Sequence, residues 1–262
     1  MFLKLKKIES MTELRKSIKS FIIVIPARLK SKRLPGKPLK LLNGVPMIVR
    51  TYNQCRKATH KDNIIIVTDS VKILKVCDKL DIPAMMTSSQ CLTGTDRVAE
   101  VSKKIKRDYY INVQGDEPII PPNDIKKIIS ETLKQKKFIT NGYTKIKNKK
   151  LFFNINIPKL VFNKSKELLY MSRAPIPLNK TKSFIFGYRL VCVYGYPKKV
   201  LEVFLKNKKK TKLEQIEDIE TLRFLELGFR VKMVELSDGS ISVDTMSDVK
   251  KVSNKLSNAK KN

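Results

Sequence analysis

Three stretches of the chain hold residue types suited to phosphate chemistry. The first, Pro26-Ala-Arg28-Leu-Lys-Ser-Lys-Arg33-Leu-Pro35-Gly36-Lys37-Pro38-Leu39, sets three cations (Arg28, Arg33 and Lys37) in a loop framed by Pro and Gly. Arginine and lysine form charge-assisted hydrogen bonds to phosphate oxygens, and glycine lets backbone approach a ligand closely. The loop has neither P-loop nor G-x-G-x-x-G spacing, so it predicts a triphosphate cradle of another kind. The second stretch, Gln114-Gly-Asp116-Glu117-Pro118, follows a run almost free of charge. A carboxylate at a strand end can hold Mg²⁺ against substrate phosphates, because Mg²⁺ usually takes one or two protein carboxylates. Alone, the same residues would make a β-turn. The third, Val243-Asp244-Thr245, puts a carboxylate just before Thr245-Met-Ser-Asp248, a capping-box pattern that opens a helix. Paired with Asp116, Asp244 can complete a metal site.

Such loops need elements that deliver them to one place. Short apolar runs alternate with amphipathic stretches, the pattern of βαβ units. Strands are predicted at Phe21–Ile25, Asn63–Val67, Ala84–Met86 and Tyr109–Val113. Helices are predicted at Met47–Lys57, from the second strand to Leu80, at Thr95–Lys104 and over about 123–135. The alternation breaks over about 140–188, where Phe138–Ile146, Pro158–Phe162 and Glu167–Met171 predict an antiparallel insertion. It resumes with strand Arg189–Tyr194, helix Pro197–Leu205, one helix Leu213–Leu227 closed by Gly228, strand Phe229–Val234 and a last helix. The expected fold is α/β, a mostly parallel sheet flanked by helices with an antiparallel mid-chain insertion. Ligands of open α/β sheets bind beyond the carboxyl ends of the strands, where the informative stretches lie. Residues 1–20 read as an N-terminal extension, 21–255 as the domain and 256–262 as a basic tail.

Composition narrows the classes. The 262 residues include 55 Lys+Arg against 24 Asp+Glu, a net charge of +31, which invites a nucleic-acid reading. Basic nucleic-acid binders concentrate charge in a patch and carry a recognisable motif. Here lysines run through nearly every segment and are densest in the first twenty residues, Lys206–Lys212 and Lys250–Asn262. That is compositional drift, and no specific nucleic acid is expected as a partner. A basic nucleic-acid-binding protein stands as the alternative of a different class. The four cysteines are scattered with no C-x-x-C pair, and His60 is the single histidine, which speaks against zinc. Free thiols suit a reducing cytoplasm. No apolar run approaches the ~20 residues that span a bilayer, and no secretory signal pattern opens the chain. The expectation is a soluble cytoplasmic protein without membrane contact.

The same stretches carry a resemblance. Arg28-x-x-Ser-x-Arg-Leu-Pro-Gly-Lys-Pro-Leu39, Met86-Thr87-Ser88 with Gly94-Thr95-Asp96-Arg97, Val113-Gln-Gly-Asp-Glu-Pro118 and Val243-Asp244-Thr245 resemble the 3-deoxy-manno-octulosonate (Kdo) cytidylyltransferases, or CMP-Kdo synthetases. Tyr170-Met-Ser-Arg173-Ala-Pro-Ile-Pro, Val193-Tyr194-Gly195-Tyr196 and Leu213-Glu214-Gln215-Ile216-Glu217 follow in the family's order, so the resemblance covers about 21–255. It implies a Rossmann-like fold of the nucleotide-diphospho-sugar-transferase type, in a homodimer built partly through the insertion. It also implies transfer of CMP from CTP to the anomeric 2-hydroxyl of Kdo with release of pyrophosphate, for lipopolysaccharide or related polysaccharide synthesis. Carried over, Arg28, Arg33 and Lys37 would hold the CTP phosphates. Ala27, Thr87, Ser88, Gly94, Thr95 and Arg97 would line the cytidine side, and Asp116 and Asp244 would coordinate Mg²⁺. Gln114, Arg173, Tyr194, Glu214 and Glu217 would surround the sugar acid. Two positions depart from the pattern: Leu190 stands where many members have a histidine, and Gln215 where a histidine commonly follows Leu-Glu. Both fall on the sugar side, so amino-Kdo or a nonulosonate are the alternative acceptors.

Overall fold

The computed structural model describes residues 20–31 and 33–259. Of the expected N-terminal extension only Ser20 falls within them, and the final three residues of the expected tail lie outside. Among the described residues, nine strands form one sheet and two short strands form a hairpin. In chain order the strands are β1 (Phe21–Ala27), β2 (Leu41–Leu42), β3 (Val45–Pro46), β4 (Ile64–Thr68), β5 (Ala84–Met86), β6 (Tyr109–Val113), β7 (Ile139–Lys145), β8 (Lys159–Phe162), β9 (Leu168–Ser172), β10 (Tyr188–Pro197) and β11 (Val231–Glu235). The helices are α1 (Met47–Ala58), α2 (Val71–Lys79), α3 (Gly94–Lys104), α4 (Pro122–Leu133), α5 (Lys149–Phe152), α6 (Lys198–Lys206), α7 (Lys212–Glu217), α8 (Thr221–Glu226) and α9 (Met246–Asn258). Helix α9 runs past residue 255, so the start of the expected tail is helical. No described helix is long and apolar enough to cross a membrane.

The main sheet runs β11-β7-β10-β6-β1-β4-β5. Pairings along this path are parallel except at β10, which is antiparallel to β6 and β7; off the path, β8 is antiparallel to both β10 and β9. Strand β1 is buried along its whole length. Successive side chains of a strand point to opposite faces, so it serves two apolar layers. Ile23 and Ile25 pack with Ile48, Tyr52, Ile73 and Ile128 from α1, α2 and α4. Ile22 and Val24 pack with Val98, Val101, Leu201 and Phe204 from α3 and α6.

Two expectations are corrected. Strand β7 is not part of the insertion, because it pairs in parallel with β11 and antiparallel with β10 inside the main sheet. The insertion therefore begins after Lys145 and consists of α5, the hairpin β8–β9 and the loop to β10. The single helix expected at Leu213–Leu227 is two. Asp218 sits at φ 49°, ψ 48° and ends α7, and α8 starts again at Thr221.

Candidate active site

Strands β1 and β6 are parallel neighbours, so the loops after them leave the same edge of the sheet. The chain goes from β1 to β4 and β5 on one side and returns to β6 on the other, and ligands bind at such switch points. Gly36, at φ +67°, turns the basic loop into a 3-10 turn over Lys37–Leu39. A Cβ on Gly115 would lie 2.8 Å from the Pro26 carbonyl oxygen, so only glycine lets the Gln114–Glu117 turn rest against the end of β1. A small apolar cluster then joins all three stretches, with Leu34 from the loop, Ile119 after the turn, and Val243 before Asp244 packed against Val249 and Val252 of α9. The Val243 N–H donates to the Asp116 carbonyl at 2.9 Å, which fixes the two aspartates side by side.

The charges interlock. Lys37 Nζ lies 2.6 Å from Asp116 Oδ2 and 3.0 Å from Asp244 Oδ1, and Arg33 reaches the same Asp244 oxygen at 3.0 Å. Burial pulls the Lys37 ammonium down, but Asp116 and Asp244 outweigh it and hold its pKa above the ordinary lysine value. Asp116 Oδ1 is buried and accepts no hydrogen bond. Buried carboxylate oxygens are normally partnered, so this one fits a cation that the polypeptide does not supply. No group of three or more His, Cys, Asp or Glu that could hold a metal occurs among the described residues. Two carboxylates and no third protein ligand is a donor set suited to Mg²⁺ carried with phosphate. Arg28, exposed just past β1, contributes to holding the Asp218 carboxyl below the usual range, after Lys210 and Arg173. Glu117 is buried against the Ser240 hydroxyl and pins the loop before Asp244 to the turn bearing Asp116.

On the expected cytidine side, two residues support the wall from behind. Arg97 is buried and donates to Thr87 Oγ1 at 2.7 Å, to the Ser88 carbonyl at 3.1 Å and to Asp69 at 2.7 Å. Three of its five N–H groups are engaged in this way, and it shapes the Thr87–Ser88 turn. Thr95 is likewise corrected, because its buried hydroxyl faces Glu220 and the Tyr196 hydroxyl rather than open space. Glu220 also accepts from the Gly94 and Thr95 N–H groups, so it caps α3 from the distant α7–α8 corner. In the sequence, Glu220 carries no signal beyond an acidic helix face. Gly94 itself makes room for Gln114, whose Nε2 would lie 2.6 Å from an added Cβ. Ala27 is the buried last residue of β1.

The break between α7 and α8 shapes the other side. The Arg173 Nε donates to the Glu217 carbonyl at 2.6 Å, one terminal nitrogen to the Ile155 carbonyl at 3.2 Å and the other to the Asp218 carbonyl at 3.1 Å. A guanidinium has five N–H groups, so one remains on each terminal nitrogen. The Glu217 carboxylate accepts from Ser172 Oγ and the Arg173 N–H, which locks the end of β9 onto α7. A cavity of about 290 Å³ is lined by Arg33, Ile155, Asn156, Arg173 and Asp218. It joins the basic loop to Arg173, and Ile155, Asn156 and Asp218 had no distinguishing pattern in the sequence.

Two sugar-side expectations do not hold. Glu214 is completely buried and paired with the equally buried Arg223 through two hydrogen bonds of 2.6 and 2.7 Å, while Arg223 also meets Asp96 at 3.0 Å. Its carboxylate also accepts from the Thr211 N–H at 3.4 Å. Breaking a buried pair from one side leaves an uncompensated charge, so Glu214→Ala should cost about 3–5 kcal/mol of stability. Thermal unfolding checks that loss, and an unchanged sugar-acid KM in the surviving enzyme checks the structural role. Tyr194 is buried and stacks on Tyr196, with ring centroids 6.0 Å apart, as part of the core beneath α3 and α6. Leu190 is half-buried against the same core, and the exposed Gln215 donates to the Lys210 carbonyl.

Comparison with known proteins identifies the family. Residues 22–233 match the family model described as Cytidylyltransferase. A 3-deoxy-manno-octulosonate cytidylyltransferase from Nitratiruptor sp. is 38% identical over 241 residues, covering 88% of this chain and 98% of the relative. One from Thermodesulfovibrio yellowstonii is 36% identical, covering 87% and 94%. A solved structure of CMP:2-keto-3-deoxy-manno-octonic acid synthetase complexed with CTP superposes with a TM-score of 0.84 at 30% identity, covering 92% of this chain and 99% of that one. With relatives this similar over nearly nine-tenths of its length, the chain belongs to the 3-deoxy-manno-octulosonate cytidylyltransferase family.

Proposed function

We propose that this protein transfers CMP from CTP to the 2-hydroxyl of Kdo, giving CMP-Kdo and pyrophosphate. The observation that carries the reading is the continuity of one site: Lys37, Arg33, Asp116 and Asp244 at the switch point open onto the cavity headed by Arg173. Family membership supplies the identities of nucleotide and acceptor.

The residues divide the work. Arg28, Arg33 and Lys37 bind the triphosphate and stabilise the charge that gathers on the leaving pyrophosphate. Asp116 and Asp244 would hold Mg²⁺, which supplies neutralisation of phosphate charge and a lowered pKa for the acceptor hydroxyl. Arg173 orients the sugar acid by its carboxylate, so that the 2-oxygen faces the α-phosphorus. The new O–P bond forms in line with the breaking bond to the bridging oxygen, and the hydroxyl proton departs to solvent. Thr87, Ser88 and Gly94, shaped from behind by Arg97, Thr95 and Glu220, form the cytidine side, with Gln114 between nucleotide and sugar. The chemistry suits the cytoplasm, where the unpaired cysteines would stay reduced.

The assay is pyrophosphate release with CTP and Mg²⁺, using Kdo, amino-Kdo and a nonulosonate in parallel. Turnover with Kdo is expected; salt-sensitive nucleic-acid binding without CTP-dependent pyrophosphate release would overturn the reading. The insertion exposes large apolar side chains, Ile185 and Phe186 in sequence with Leu178 a few residues before them, which suit burial against a second copy of the chain. Sedimentation should therefore give twice the 30.2 kDa chain mass, and a monomer at micromolar concentration would refute the homodimer.

A further inference from the structure

Lys159 is unlike the chain's many other lysines. It lies on β8 opposite Ser172 of β9, and its side chain is completely buried. Its Nζ donates to the Asn154 carbonyl at 3.0 Å and to the Arg173 carbonyl. No carboxylate pairs with it among the described residues. A buried ammonium held only by carbonyls is costly, and a neutral side chain of similar length would be cheaper. The two carbonyls belong to the two walls of the acceptor cavity. Asn154 leads directly into Ile155 and Asn156, and Arg173 is the cation that heads the cavity. The Ile155 carbonyl in turn accepts from Arg173, which closes a ring of Lys159, Asn154–Ile155 and Arg173.

We propose that Lys159 is a positioning residue for the sugar-acid acceptor, holding the insertion wall and Arg173 in register. The inference rests on the reading of Arg173 as the carboxylate anchor. Burial, with Arg173 adding to it, pulls the Lys159 ammonium down to about 8, while Glu217 acts in the other direction. Near neutral pH the residue therefore remains mostly charged, and its field reinforces Arg173 toward an anionic acceptor.

The test measures KM for Kdo and for CTP, and the melting temperature, in Lys159→Met and Arg173→Ala side by side. Lys159→Met should raise the Kdo KM about tenfold and leave the CTP KM within about twofold. If Arg173→Ala shows the split and Lys159→Met does not, or raises both KM values together, the positioning role is overturned and the anchor stands. If Arg173→Ala shows no split, the anchor fails and the role of Lys159 falls with it. Should Lys159→Met not fold, Lys159→Gln keeps a donor for one carbonyl; the same split at smaller amplitude is expected, and its absence overturns the proposal.

Discussion

Asp116→Asn should lower turnover by about a thousandfold or more while leaving the fold in place, since stabilising the charge of a phosphoryl transition state is worth several kcal/mol. Asparagine keeps the shape and an acceptor oxygen for Lys37, which lies 2.6 Å from Oδ2 and retains Asp244 at 3.0 Å. What it removes is the charge, and with it the cation-binding capacity of the unpartnered Oδ1. The Val243 bond to the Asp116 carbonyl is backbone and survives, so the melting temperature should move by only a few degrees. Mg²⁺-dependent tightening of CTP binding, read by calorimetry, should weaken with turnover. Near-wild-type turnover in this variant would sink the assignment of Asp116 to the metal.

The parallel strands were legible because their apolar runs are short, charge-poor and bounded by turn residues, and the three chemical stretches were legible because they follow or face strand ends. What escaped was set by partners distant in sequence. Strand β7 read as part of the insertion because its parallel partner β11 begins 92 residues later, between Ile139 and Val231. The region of α7 and α8 read as one helix because it holds no Gly or Pro before Gly228. The break at Asp218 brings the Glu217 and Asp218 carbonyls to Arg173, and no local pattern announces it. Glu214 was placed at the sugar by the family resemblance alone; Arg223, nine residues on, decides its direction. Lys159 was hidden by its own commonness, a buried lysine in a chain with 55 basic residues.

The other large effect is expected for Arg173→Ala, which should raise the sugar-acid KM about a hundredfold, corresponding to about 3 kcal/mol for a lost charge-assisted, bidentate contact. The expectation follows from how the guanidinium is held. Carbonyls of Glu217, Ile155 and Asp218 take one N–H each from its three nitrogens. The two N–H groups left over are on different terminal nitrogens of a rigid plane; the Asp218 carboxylate, 4.0 Å from one of them, is beyond hydrogen-bond distance, so the pair can meet the two oxygens of a carboxylate. Lysine offers one point charge and cannot meet three fixed carbonyls and a carboxylate together, so Arg173→Lys should recover little of the loss. The CTP phosphates have Arg28, Arg33 and Lys37 of their own, so the CTP KM should stay within about twofold. Losing three bonds to two segments will also lower the melting temperature, and kinetics must be read well below it. Arg33 lines the same cavity but is tied to Asp244 at 3.0 Å, so its removal should disturb both substrates. An equal rise of both KM values in Arg173→Ala would place Arg173 with that group and remove it as the acceptor's anchor.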